Sequence, residues 1–172
     1  MEDPFARLTL PRRFYLADAE IESAYLRAVG GAHPDAPGGG ADAGAINAAR
    51  TALRDPEARA DALLLLLGGP SRAEQRGLPD GLLMEMMEIR QQIEREIAEQ
   101  GALARARWEA WAEQRRAERL QIIGGQFGAL GDPPDPARLR DIRVQLNALR
   151  YIERLIEQLD PEYDPASADF DR

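Results

Sequence analysis

At residues 3–4, 55–56 and 135–136 an aspartate stands directly before a proline, and apolar residues then recur at helical spacing. The pairing puts a capping carboxylate beside the free N–H groups of a first helical turn that tolerates proline, so it predicts three helix starts. No stretch alternates apolar with polar residues at period two, and β-branched residues are scarce. The chain therefore reads as all-α.

Placing the remaining signals divides the chain. Asp3-Pro4 opens a short first helix carrying Phe5, Leu8 and Leu10. A second helix is expected from Asp18 to Val29, on Ile21, Tyr25, Leu26 and Val29, fraying at Gly30-Gly31. A short third helix spans about 41–54, with Ile46, Ala49 and Leu53, and a fourth runs from Pro56 to Leu67 until Gly68-Gly69-Pro70 ends it. Residues 1–69 thus form one module, 70–78 a linker and 79–160 a second module, while the acidic, proline-containing stretch 161–172 is expected to be an unstructured tail. In the second module Pro79-Asp80 opens a helix to Gln100, and Gly101 interrupts it. A further helix passes Trp108, Trp111, Leu120 and Ile123 and weakens at Gly124-Gly125, and the last runs from Asp135 to about Leu159. Three long antiparallel helices with short connections make a bundle.

Charge narrows the function classes. The net charge is −8, with acids spread along all 172 residues. Nucleic acid needs a concentrated basic face, and anionic membranes repel such a chain. All 22 basic residues are arginine, which reads as compositional bias in the genome. With no cysteine there is no disulfide, thiol nucleophile or Cys-based metal site. The start Met1-Glu2-Asp3-Pro4 lacks a basic-then-apolar leader pattern, and the longest apolar run, Ala62 to Leu67, is too short to span a bilayer. A cytoplasmic location is the expectation.

Two features carry functional weight. His33, the sole histidine, begins the tripeptide His33-Pro34-Asp35 between the second and third helices. Proline fixes its own φ, so the bend presents His and Asp rigidly, either as a recognition surface or as a locally satisfied turn. No serine or cysteine nucleophile accompanies the histidine, so an enzyme is not expected. The second feature is a helical wheel. At about 100° per residue, Leu82, Met86, Ile89, Ile93 and Ile97 share one seam, which leaves Met84 nearly opposite and Leu83, Met87 and Glu88 off it. In the last helix Leu139, Ile142, Leu146, Leu149 and Ile156 form the seam, with Val144, Tyr151 and Leu155 on the far side. Apolar side chains outside a seam either meet a partner or pack against the first module. Glu85, Glu88, Glu94 and Glu96 lack the histidines of a carboxylate metal site, so a solvated face is the better reading and no metal or cofactor is expected. Trp108 and Trp111 are assigned to bundle packing.

Taken together, Asp3-Pro4-Phe5 through Leu10-Pro11, Ala24-Tyr25, His33-Pro34-Asp35, Ile46-Asn47-Ala48-Ala49 and Leu53-Arg54-Asp55-Pro56 with Arg59 resemble a J-domain. Residues Leu82 to Arg90 and Leu149 to Leu155 resemble the bundle of HscB, the J-type co-chaperone family of iron–sulphur cluster assembly. The resemblance implies a J-domain of four short helices, with an antiparallel hairpin around the HPD loop, followed by a C-terminal three-helix bundle. It implies that Tyr25, Arg27, His33, Pro34 and Asp35 engage a DnaK/HscA-type chaperone and stimulate its ATPase. It also implies that Leu83, Met84, Met87, Glu88 and Tyr151 bind an IscU-like cluster scaffold. It leaves self-association open.

The chain departs from the family pattern where a chaperone would be met. Residues 25–32 carry one basic side chain, Arg27, and two glycines. Fewer cations mean weaker steering toward an acidic surface, and glycines loosen the last helical turn. Gln91 and Arg95 stand where acids are expected on the scaffold-binding helix. The scaffold-binding half is therefore expected to be the better preserved. A rival class is a helical adaptor with a vestigial J-domain.

Overall fold

The computed structural model describes residues 2–31 and 39–160, and among these there are seven helices and no strand. They are α1 (Pro4–Arg7), α2 (Asp18–Gly31), α3 (Gly39–Arg54), α4 (Pro56–Leu66), α5 (Leu82–Gln100), α6 (Ala102–Gly128) and α7 (Pro136–Leu159). All three Asp-Pro starts are helix N-termini. Asp3 accepts from the N–H of Phe5 and Ala6, Asp55 from Ala58 at 2.9 Å and Asp135 from Ala137 at 2.8 Å. Each carboxylate satisfies donors that the helix itself leaves open.

Helices α2 and α3 pair, and α1 and α4 close on the pair. Phe5, Leu8, Ile21, Ala24, Ile46, Ala49, Leu53, Leu63 and Leu64 fill the space between them. Glu22 of α2 takes both Nε and Nη2 of Arg50 on α3 at 2.9 Å, and the same guanidinium lies 4.7 Å from the Tyr25 ring centre. In the second half α5, α6 and α7 form the bundle. Ile93, Ala112, Leu155 and Leu159 are its buried centre, with Trp108 and Trp111 edge-to-face at 5.4 Å beside them. Trp108 donates its indole N–H to Glu96 at 3.0 Å.

The two halves share a core. Ile123 of α6 and Leu139, Ile142, Leu146 and Leu149 of α7 pack with the first four helices, and Phe14 stacks on Phe127 at 5.8 Å. The connection 70–78 is likewise held against α7. Buried Arg143 donates Nε to the Pro70 carbonyl at 2.8 Å and pairs with Asp61 at 2.6 Å. Asn147 donates Nδ2 to the carbonyls of Gln75 and Gly77 at 3.0 and 2.9 Å.

Several sequence expectations need correction. Gly30-Gly31 does not fray α2, which includes both residues, and α3 is a full 16-residue helix. Helix α5 starts at Leu82 after Gly81, whose φ of 78° suits glycine, rather than at Pro79-Asp80. Helix α6 passes through Gly124 and Gly125 to Gly128, because tertiary packing on Gly124 outweighs the helix propensity lost there. Leu155 is buried rather than on a far side, because it packs with Ile93 of α5 and Ala112 of α6 at the centre of the bundle.

Candidate functional site

Gly81 delivers α5 so that Leu82, Met86 and Ile93 face inward. The 3.6-residue turn then sends the intervening side chains out. Leu83 is 53% exposed, Met84 64% and Met87 54%, and Glu88 is exposed beside them. Neither the first four helices nor the bundle covers this face. Glu85, also exposed, adds a second carboxylate, so the surface is an apolar patch with an acidic rim. Methionine is well suited to such a surface, since its unbranched chain adapts to irregular partners.

Tyr151 differs from its four companions. It is half-buried and packs with Leu78, Ile89 and Trp111 on the cluster of Leu82, Met86 and Ala148. It joins the α5 side of the bundle through that cluster, and its remaining surface lines a groove of about 560 Å³ between the 70–78 connection and α7. Sequence reasoning missed this groove. Its walls come from a connection that reads as a linker and becomes a surface only when Asn147 and Arg143 tie it down.

On the other half, Tyr25 is half-buried beneath Arg50, so its ring is committed to the α2–α3 pair. Arg27 is exposed, and so are its neighbours Leu26 at 66% and Val29 at 42%. This outward face of α2 therefore carries one cation among apolar side chains. His33, Pro34 and Asp35 lie outside the described residues. No helix among the described residues is long and apolar enough to cross a membrane.

The fold that carries this patch has counterparts among known proteins. Residues 78–160 match the family model of the HSCB C-terminal oligomerisation domain. The chain is HscB-like. Chaperone HscB from Vibrio cholerae superposes with a TM-score of 0.75 over 92% of this chain and 95% of that one, at 23% identity. The human co-chaperone protein HscB superposes with a TM-score of 0.73 over 92% of this chain and 81% of its own, at 20% identity. A comparison with curated protein sequences finds no match. At these identities the structures establish a shared fold, an N-terminal J-domain followed by a helical bundle, and the family match is confined to the bundle. The HscB-like second half is where the exposed methionines lie.

Proposed function

We propose that this chain is a co-chaperone of iron–sulphur cluster assembly rather than an enzyme. Its bundle docks a cluster scaffold protein on Leu83, Met84, Met87 and Glu88, with Tyr151 at the edge. Its J-domain presents Arg27 and His33-Pro34-Asp35, beside the half-buried Tyr25, to a DnaK/HscA-type chaperone and stimulates ATP hydrolysis. The observation that carries this reading is the outward exposure of Leu83, Met84 and Met87 on an HscB-like bundle. A partner that covers the three side chains gains roughly 1 kcal/mol from each, at about 25 cal/mol per Å² of apolar surface removed from water. Glu85 and Glu88 at the rim favour a scaffold face with basic side chains, which speeds encounter and sets orientation.

The experiment combines a chaperone ATPase assay with scaffold titration. Met84→Ala with Met87→Ala weakens scaffold binding at least tenfold and leaves basal chaperone stimulation intact. His33→Gln abolishes stimulation and leaves scaffold binding unchanged. Scaffold affinity unaffected by the methionine pair would refute the docking face.

One observation favours a second reading for the J-domain. Around Arg27 the outward face of α2 is apolar, which gives little steering toward an acidic chaperone. On that reading the protein is a helical adaptor. It binds scaffold through the same patch but gives no ATPase stimulation at saturating concentration.

A further inference from the structure

The connection between the two halves is fastened to α7 from outside rather than embedded in the core. No residue from 70 to 81 is fully buried, and of its side chains Leu78 packs on the cluster of Leu82, Met86 and Ala148. Its carbonyls at Pro70, Gln75 and Gly77 accept from Arg143 and Asn147. Within the segment, the Ser71 N–H donates to the Glu74 carboxylate at 2.8 Å and the Gln75 N–H to the Ser71 carbonyl at 3.0 Å, a turn that holds itself together. Glycines with left-handed backbone stand at both ends, Gly68 at φ 81° and Gly81 at φ 78°. Such termini absorb a change of chain direction with little strain.

Beneath the closed connection, polar groups go unsatisfied. Arg143, Asn147 and Arg150 follow one another along a single stripe of α7, at spacings of four and three. Among the described residues, Nη2 of Arg143, Oδ1 of Asn147 and Nε of Arg150 are buried without a hydrogen-bond partner. Because Nδ2 of Asn147 donates to both Gln75 and Gly77, its amide orientation is fixed and Oδ1 is left over. A buried polar atom without partner or water favours any conformation in which water returns. Asn147 and Arg150 border the groove beside Tyr151, so solvent stands close by. Lifting the connection admits that water and offsets part of the loss of the Asn147 bonds. Few apolar contacts above and unsatisfied groups below describe a segment that opens well short of global unfolding.

We propose that residues 70–81 form a strap that lifts from α7 as a unit while the helices stay packed, and that docking on α5 draws the strap open. Leu78 and Tyr151 share the cluster of Leu82, Met86 and Ala148, and the chain passes from Leu78 into exposed Leu83 and Met84 within six residues. Lifting withdraws Leu78 and vacates an apolar place beside Tyr151, which an apolar side chain of the scaffold fills. The closed strap then lowers the apparent affinity by the fraction of molecules that are open. The coupling to docking rests on the function proposed above, whereas the lifting itself does not.

Hydrogen exchange on the full-length protein reads the strap without any partner. The Asn147 side-chain amide is protected while the Gln75 and Gly77 carbonyls are in place. Relative to its unprotected rate, it is expected to exchange about tenfold faster or more than the backbone amides of Leu146 and Leu149 on the same helix. Its opening is expected to respond weakly to low denaturant, because little surface is exposed. In Gly77→Ala the added Cβ meets the flexible Gln75 side chain at 3.3 Å and restricts the lifted chain. That variant is expected to slow Asn147 exchange about two- to fivefold and to weaken scaffold binding by the same factor. A side chain that merely rotated in place would be indifferent to the substitution. Asn147 exchange that matches Leu146 and Leu149 and shares their denaturant dependence would overturn the strap, as would indifference to Gly77→Ala. Unchanged scaffold affinity in a Gly77→Ala protein whose Asn147 exchange has slowed would overturn the coupling. Failure of the docking face itself shows separately, as scaffold binding indifferent to Met84→Ala with Met87→Ala.

Discussion

Tyr15, in the segment before α2, packs directly on the backbone of Gly124 in α6. A Cβ at Gly124 would overlap the Tyr15 ring and approach Cδ1 of buried Phe14 to 2.8 Å. The J-domain and the bundle are thus pressed together at a point where only a hydrogen fits. Phe14, stacked on Phe127, cannot move aside as the exposed Tyr15 can. Gly124→Ala is therefore expected to destabilise the protein by about 1–2 kcal/mol, an overpacking cost partly offset by better helix propensity. Gly125→Ala, with open space around it, is expected to stabilise by up to about 1 kcal/mol. Denaturant midpoints of the two variants are predicted to shift in opposite directions, and equal shifts would contradict the close approach.

The connection between the halves depends on Asn147. Its amide donates to the carbonyls of Gln75 and Gly77, and it is 8% exposed, so water does not readily replace it. Asn147→Ala leaves both carbonyls without their donor and is expected to cost about 1–3 kcal/mol. Limited proteolysis gives the local readout, with cleavage within 70–78 expected to accelerate well before cleavage elsewhere. Global unfolding without selective cleavage would mean that Asn147 serves the bundle core instead.

What the residues disclose in advance divides along physical lines. The Asp-Pro caps at 3, 55 and 135 are local, because a carboxylate satisfies N–H groups two or three positions away, and a sequence shows that spacing directly. The α5 seam is legible for a related reason: one face of that helix is covered, and the wheel separates Met84 from Met86. Helix α7 defeats the same reasoning. It is packed by α4, α5 and α6, so Leu155 and Ala148 are both buried although a single seam cannot hold them together with Leu139 and Ile142. Gly124 and Asn147 are opaque for another reason, since a glycine in a helix and an asparagine on one carry no mark of the distant backbone or ring they meet. The groove at Tyr151 inherits that opacity, because one of its walls exists only through Asn147 and Arg143.

The wheel assignment of α5 predicts a contrast in stability between neighbouring methionines. Met86 is 6% exposed and Met84 64%. Met86→Ala empties a site between Leu82, Ala148 and Ile89 and is expected to cost about 2–5 kcal/mol. Met84→Ala removes surface that is already in water and is expected to stay within about 0.5 kcal/mol of the parent. Thermal melts separate the two. A Met84 variant as unstable as the Met86 variant would place Met84 in the interior and remove the docking face.

Glu57 carries a pH signature. Burial raises its carboxyl above the usual glutamate range, outweighing the pull of Arg150, and Glu153 and Asp55 add to the rise. A carboxyl whose pKa is higher folded than unfolded binds more proton in the native state between those two values. Its contribution to stability is then full below the unfolded value of about 4.5 and is lost as pH climbs through the folded value. Glu57→Gln cannot titrate, so it is spared that loss. Measured against the parent, the variant's unfolding free energy is expected to improve steadily as pH rises above 4.5 and then level off, whatever constant offset comes from breaking the contact with Arg150. A difference that instead worsens with rising pH would mean that the pull of Arg150 outweighs burial and holds the Glu57 carboxyl below its unfolded value.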